Sequence, residues 1–144
     1  MLKSLCYLMI VPACLLAGCG GSPKELPVAK SAHGGNLVSL PGDRGFVEIL
    51  VESGAAGGGR KAQVKPRIIA YFFQPDGTTE MSPGPTEVKV KVGTGEKSAV
   101  VDLSPQPKEA GKYASEPGTY PDGFNGQLDG KVNGEAVQVS FTLR

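Results

Sequence analysis

Apolar and polar positions alternate with period two over most of this chain, which is the signature of strands with one covered face. In Phe46 to Glu52, Val47, Ile49 and Val51 fall on one side, Glu48 and Glu52 on the other. Glu87 to Val92 is cleaner still, with Val88, Val90 and Val92 opposed by Glu87, Lys89 and Lys91. Arg67 to Gln74 (Arg-Ile-Ile-Ala-Tyr-Phe-Phe-Gln) is apolar on both faces and predicts a strand covered on both sides. The last unit is the strongest. Phe124, Gly126, Leu128, Gly130 and Val132 alternate up to Asn133-Gly134, and Val137, Val139, Phe141 and Leu143 return on one face. Asn-Gly between alternating runs marks a two-residue hairpin.

Shorter runs complete the series. Asn36 to Leu40 predicts a first strand ended by Pro41-Gly42-Asp43, and Gly93 to Glu96 turns the chain into Ser98 to Leu103. Ser104 to Pro117 is polar and proline-rich, a surface excursion in which Lys108 to Tyr113 adds at most a short strand. About seven or eight short strands, with turn signals every 8 to 12 residues, predict an all-β fold. The expectation is an antiparallel β-sandwich of immunoglobulin-like architecture, with a small β-barrel as the alternative. The Cys…Trp…Cys pattern of true immunoglobulin domains is absent.

The first residues follow another rule. Lys3 precedes an uncharged apolar run from Leu5 to Ala17, too short for the roughly 20 residues that cross a bilayer. A basic start, a short apolar stretch and small residues at its end read as a secretory signal. The stretch Leu16-Ala17-Gly18-Cys19 closes that run and resembles the lipobox of bacterial lipoproteins. The resemblance implies cleavage before Cys19 and acylation of its sulfur, with palmitate-type chains as the membrane anchor. Two or more chains anchor stably where one does not. The expected organisation is a signal peptide over residues 1–18, a lipidated tether over 19–32 and a sandwich domain over 33–144. Gly20 is not the acidic residue that retains many lipoproteins in the inner membrane. A bacterial cell envelope location is therefore expected, with the outer membrane favoured over the inner.

Cysteine and charge narrow the chemistry. The chain has 3 Cys, and Cys6 and Cys14 leave with the signal while Cys19 is the acylated one. Disulfides and thiolate metal sites in the domain are thereby excluded. Of 15 basic and 14 acidic residues, only Lys3 lies in the signal, so the mature chain balances 14 against 14. That balance argues against a nucleic-acid partner, whose backbone demands a concentrated basic surface.

His33, the 1 histidine, stands in Ala32-His33-Gly34-Gly35. This opening and the closing Phe-x-Gly-x-Leu-x-Gly-x-Val hairpin resemble small β-rich lipoproteins of planctomycete-type bacteria. Some chains with a His-Gly-Gly opening belong to heavy-metal efflux systems, where a second histidine is expected in the next strand. Phe46-Val47-Glu48-Ile49 has none. His33 with Met81 falls short of the two to four ligands a copper or zinc site needs, so His33 is carried as a metal candidate and no cofactor is expected.

No catalytic arrangement is expected. No serine sits in a Gly-x-Ser-x-Gly elbow, and acid pairs drawn from Glu48, Glu52, Asp102 or Asp122 are what any soluble domain offers. The Gly-rich loop from Ser53 to Gly59 does not lead into a helix, as a phosphate cradle would. Asp76 and Asp122, both in Pro-Asp-Gly, are explained by turn formation. Tyr113 and Tyr120, in a polar stretch, are the expected exposed aromatics and a possible partner surface. The functional expectation is a non-enzymatic binding or assembly module for an envelope protein or polymer. The alternative is a metal-handling, efflux-associated accessory protein using His33.

Overall fold

In the computed structural model of the chain, residues 29–53, 65–93, 98–121 and 123–144 are described. Cys19, Asp122, most of the Gly-rich loop and the turn after Gly93 lie outside them. Among the described residues nine strands follow in chain order: β1 (Asn36–Ser39), β2 (Phe46–Glu52), β3 (Arg67–Phe73), β4 (Thr86–Val92), β5 (Ala99–Asp102), β6 (Ser104–Pro105), β7 (Lys112–Ala114), β8 (Asn125–Val132) and β9 (Glu135–Thr142). They form two sheets, ordered β1-β2-β3-β7-β6 and β5-β4-β8-β9, with every neighbouring pair antiparallel. The protein is an all-β sandwich. The barrel alternative is set aside, because the strands divide between two separate sheets and do not close into one.

The order of pairing has a familiar logic. Lettered from β2 in chain order as A, B, C, C′, D, E, F and G, the sheets run A-B-E-D and C′-C-F-G. That is the strand order of immunoglobulin-type sandwiches, with β1 added outside A. The cause lies in the turns. Asn133 (φ 52) and Gly134 (φ 83) form the left-handed two-residue turn that lets β8 and β9 pair from Val132↔Glu135 to Asn125↔Thr142. The long polar excursion returns the chain to the first sheet. There β6 and β7 pair with each other and β7 pairs with β3.

Side chains from both sheets meet in one core. Val47, Ile49, Ile68, Ala70 and Phe72 face Val88, Val90, Leu128, Val137, Val139 and Phe141. Burying each large side chain contributes about 1.5–3 kcal/mol, before the cost of ordering it. One extra residue in β4, around Glu87 (φ 55), bulges the strand between the pairs Thr86↔Lys131 and Lys89↔Asp129. The bulge leaves Val88, Val90 and Val92 facing inward.

One feature differs from the expected pattern. The outer face of the first sheet is covered as well, since Ile69 and Phe73 are 2% and 4% exposed and Glu48 is 0% exposed. Alternation alone places Glu48 toward solvent. It is buried because the chain entering the domain lies across that face.

Candidate functional site

The covering segment is built around the His-Gly-Gly motif. Glu48 pairs with Leu37 on β1 and Tyr71 on β3, in the middle of the outer face. One carboxylate oxygen accepts from Ser31 Oγ at 2.6 Å, the His33 amide at 2.9 Å and the Gly35 amide at 2.7 Å. The other accepts from the Ala32 amide at 3.0 Å and lies 3.2 Å from His33 Nδ1. Near-successive backbone amides converging on one anion form a nest. Gly34 takes φ +80, where a side chain is strained, and a Cβ on Gly35 would strike the Ile49 carbonyl and the Glu48 side chain. His33 lies flat on Tyr71, ring centroids 3.7 Å apart and planes within 7°.

Electrostatics follow from this geometry. Burial alone raises the carboxyl pKa of Glu48, but the hydrogen bonds from Ser31, Gly35 and His33 outweigh it and push the value down to about 2. The group is ionised at any physiological pH and its lone pairs are engaged. It is therefore an anchor and a poor base. Lys112, held by Glu109 at 3.0 Å and so raised in pKa, carries its ammonium 5.3 Å from the Tyr71 ring. Comparison with family models, with curated proteins and with solved structures finds no match for this chain.

The other candidates fall into place around this clamp. Among the described residues no group of three or more His, Cys, Asp or Glu side chains could hold a metal ion. His33 is engaged with Glu48 and Tyr71 while 39% of its side chain stays exposed. The carboxylates are not brought together. Glu48 is buried, Glu52 is exposed at the end of β2, and Asp102 is ion-paired to Lys89 in the other sheet. Asp76 is held by Thr79 Oγ1 and the Thr78 and Thr79 amides, which lower its pKa to about 2 and close a turn.

Tyr113 corrects the expectation of an exposed aromatic. It is 6% exposed, its hydroxyl donates to the Pro85 carbonyl at 2.5 Å, and its ring meets Phe72 edge-on at 5.3 Å. Tyr113 pairs with Ala70 on β3 and points into the sandwich, so it offers no partner surface. Burial raises its pKa. Tyr120 is half-buried against the core. Its hydroxyl donates to the Glu116 carbonyl at 3.2 Å and lies 3.0 Å from Ser115 Oγ, which in turn accepts from the Ile68 amide. A tyrosine between strands E and F, bonded to backbone a few residues upstream, is the tyrosine corner of these sandwiches. Tyr120 also borders a groove of about 960 Å³, together with Leu50, Val51, Phe124, Leu143 and Arg144.

Sequence reasoning missed the clamp. The available signal was β3, whose outer residues need a cover, together with the placement of Glu48 one strand away.

Proposed function

We propose that the protein is a lipid-anchored binding or assembly module of a bacterial envelope, held on the membrane through acylated Cys19. The observation that carries this reading is the Glu48 clamp. The segment arriving from the tether is fixed to the sheet by five contacts to one buried carboxylate. A tether fixed in this way transmits the position of its anchor to the sandwich, a requirement for a display module and of no use to a freely diffusing enzyme. The partner is an envelope protein or polymer. The groove beside Tyr120, which Gly34 and Gly35 of the clamp segment also line, is the surface offered to it. Among the described residues no helix is long and apolar enough to cross a membrane. The anchoring reading rests on the lipobox Leu16-Ala17-Gly18-Cys19.

Labelling cells with radioactive palmitate tests the reading. The full chain is expected to carry label and sediment with membranes, while Cys19→Ser stays unlabelled and unprocessed. An unlabelled wild-type chain recovered in the soluble fraction refutes it. A second reading draws on the His33–Glu48 pair, because a carboxylate on one ring nitrogen is how many metal-ligating histidines are oriented. Calorimetric titration with Cu²⁺ and Zn²⁺ separates the two. Tight binding lost in His33→Ala would favour metal handling over display.

A further inference from the structure

Two sheets have four edges, and natural sandwiches protect each of them against pairing with another chain. In the first sheet, β6 is two residues long and contains Pro105, which has no N–H to offer. Strand β1 lies against β9 of the second sheet, and Asn36 Nδ2 donates to the Thr142 carbonyl there at 2.5 Å. At its other end β9 is held by the Arg44–Glu135 ion pair. Those two edges therefore guard each other. The fourth edge is β5, Ala99-Val100-Val101-Asp102, which carries no lysine and no proline. It presents Val100 at 64% exposure, the exposed large apolar side chain among the described residues.

The ladder settles which groups this edge offers. The Leu103 amide donates to the Val88 carbonyl at 2.9 Å, so Leu103 turns its backbone toward β4. Alternation in an antiparallel pair turns Val101 the same way and aims the N–H and C=O of Val100 and Asp102 outward. A two-fold axis normal to the sheet through Val100 then sets Val100 against Val100 of a second copy. It also sets Ser98 against Asp102, hydroxyl to carboxylate, at each end. Within each copy Asp102 faces Lys89 and Val100 faces Lys91. The junction is therefore an apolar pair flanked by lysine stems and opposite partial charges, with like charges kept apart. We infer that β5 is a self-pairing edge, joining two copies of this chain antiparallel into a continuous eight-stranded sheet.

Four residues a side bury far less than the roughly 1,000 Å² of a stable interface in solution. Pairing therefore depends on the raised effective concentration of chains sharing one membrane, and in this the inference rests on the anchored reading. The test is register-specific oxidative cross-linking of the full chain in membranes, with palmitate labelling measured in the same cells. Opposed Cα atoms in this register are about 5.5 Å apart, within disulfide range, whereas the two copies of residue 102 stand about 14 Å apart. Val100→Cys is expected to give disulfide dimer well above the wild-type background. Asp102→Cys alone is expected to give none, and mixed Ser98→Cys and Asp102→Cys chains to cross-link. Labelled, membrane-bound Val100→Cys that stays monomeric overturns the pairing, as does Asp102→Cys dimer equal to it. An unlabelled chain overturns the anchor instead. The same Val100→Cys reaction in concentrated full chain then decides the pairing alone.

Discussion

Replacing Glu48 by Gln keeps the shape of the side chain and removes its charge, which makes it the sharpest probe of the clamp. The carboxyl pKa is pushed down to about 2 from an ordinary 4.5. At about 1.4 kcal/mol per unit, the folded state prefers the ionised form by about 3 kcal/mol. Adding the contacts one by one, at about 1.5–3 kcal/mol each for a charged acceptor, overshoots severalfold. The smaller figure governs, because the segment lifts away and its amides reach water before the larger sum is incurred. The sign follows from the lowered pKa. Above pH 4.5 both folded and unfolded chains are ionised and the contribution is complete. As pH falls from 4.5 toward 2 the unfolded chain takes up the proton first, and stability drops by about 1.4 kcal/mol per unit. Asp76 is also held low and adds its own dependence to both chains, so the difference between them is the quantity to measure. Urea denaturation followed by far-ultraviolet circular dichroism is expected to place Glu48→Gln about 3 kcal/mol below wild type at neutral pH. The gap should shrink to about 1 kcal/mol at pH 3. A gap of constant size across that range, or none at neutral pH, refutes the clamp.

Three further substitutions separate other parts of the argument. His33→Ala keeps the backbone amide on Glu48 but loses the stack on Tyr71, and is expected to cost about 1–2 kcal/mol in the same denaturation assay. Tyr120→Phe removes the corner hydroxyl that meets Glu116 and Ser115, with an expected loss of about 1–2 kcal/mol. For a chain of this size that is a fall of roughly 3–8 °C in a thermal scan. Gly134→Ala meets no atom within 4 Å at the new Cβ, so any effect is conformational. The left-handed φ of 83 sets an expected cost of about 1–2 kcal/mol, and equal stability would mean that the hairpin turn is not as described.

How far the fold was legible follows from what a period of two encodes. It records which side chains share a face, and so β2, β3, β4 and the β8–β9 hairpin emerge within a residue or two of their observed ends. It does not record what covers a face. Glu48 reads as solvent-facing beside Val47 and Ile49, although β3, apolar on both sides, already demands a second cover. That cover comes from residues 29–35, a segment without periodicity whose hold is backbone amides converging on one carboxylate. Such a hold depends on chain path and leaves no apolar pattern to read. Tyr113 was hidden for a similar reason. Its neighbours are polar, but a three-residue strand opposite Ala70 is enough to turn it into the core.

The clamp also accounts for the composition of the motif that invited a metal reading. His33 supplies an aromatic plane for Tyr71 and a ring nitrogen for Glu48, Gly34 supplies a left-handed bend, and Gly35 supplies the space for the chain to pass β2. Each residue of His-Gly-Gly is thus required by packing before any ligand is invoked. One demand explains all three: a chain arriving from outside the sandwich must lie flat on a sheet that already buries a charge. A metal site explains the histidine but neither glycine. The display reading therefore asks less of the motif, and the pH dependence of the Glu48→Gln gap tests the demand itself.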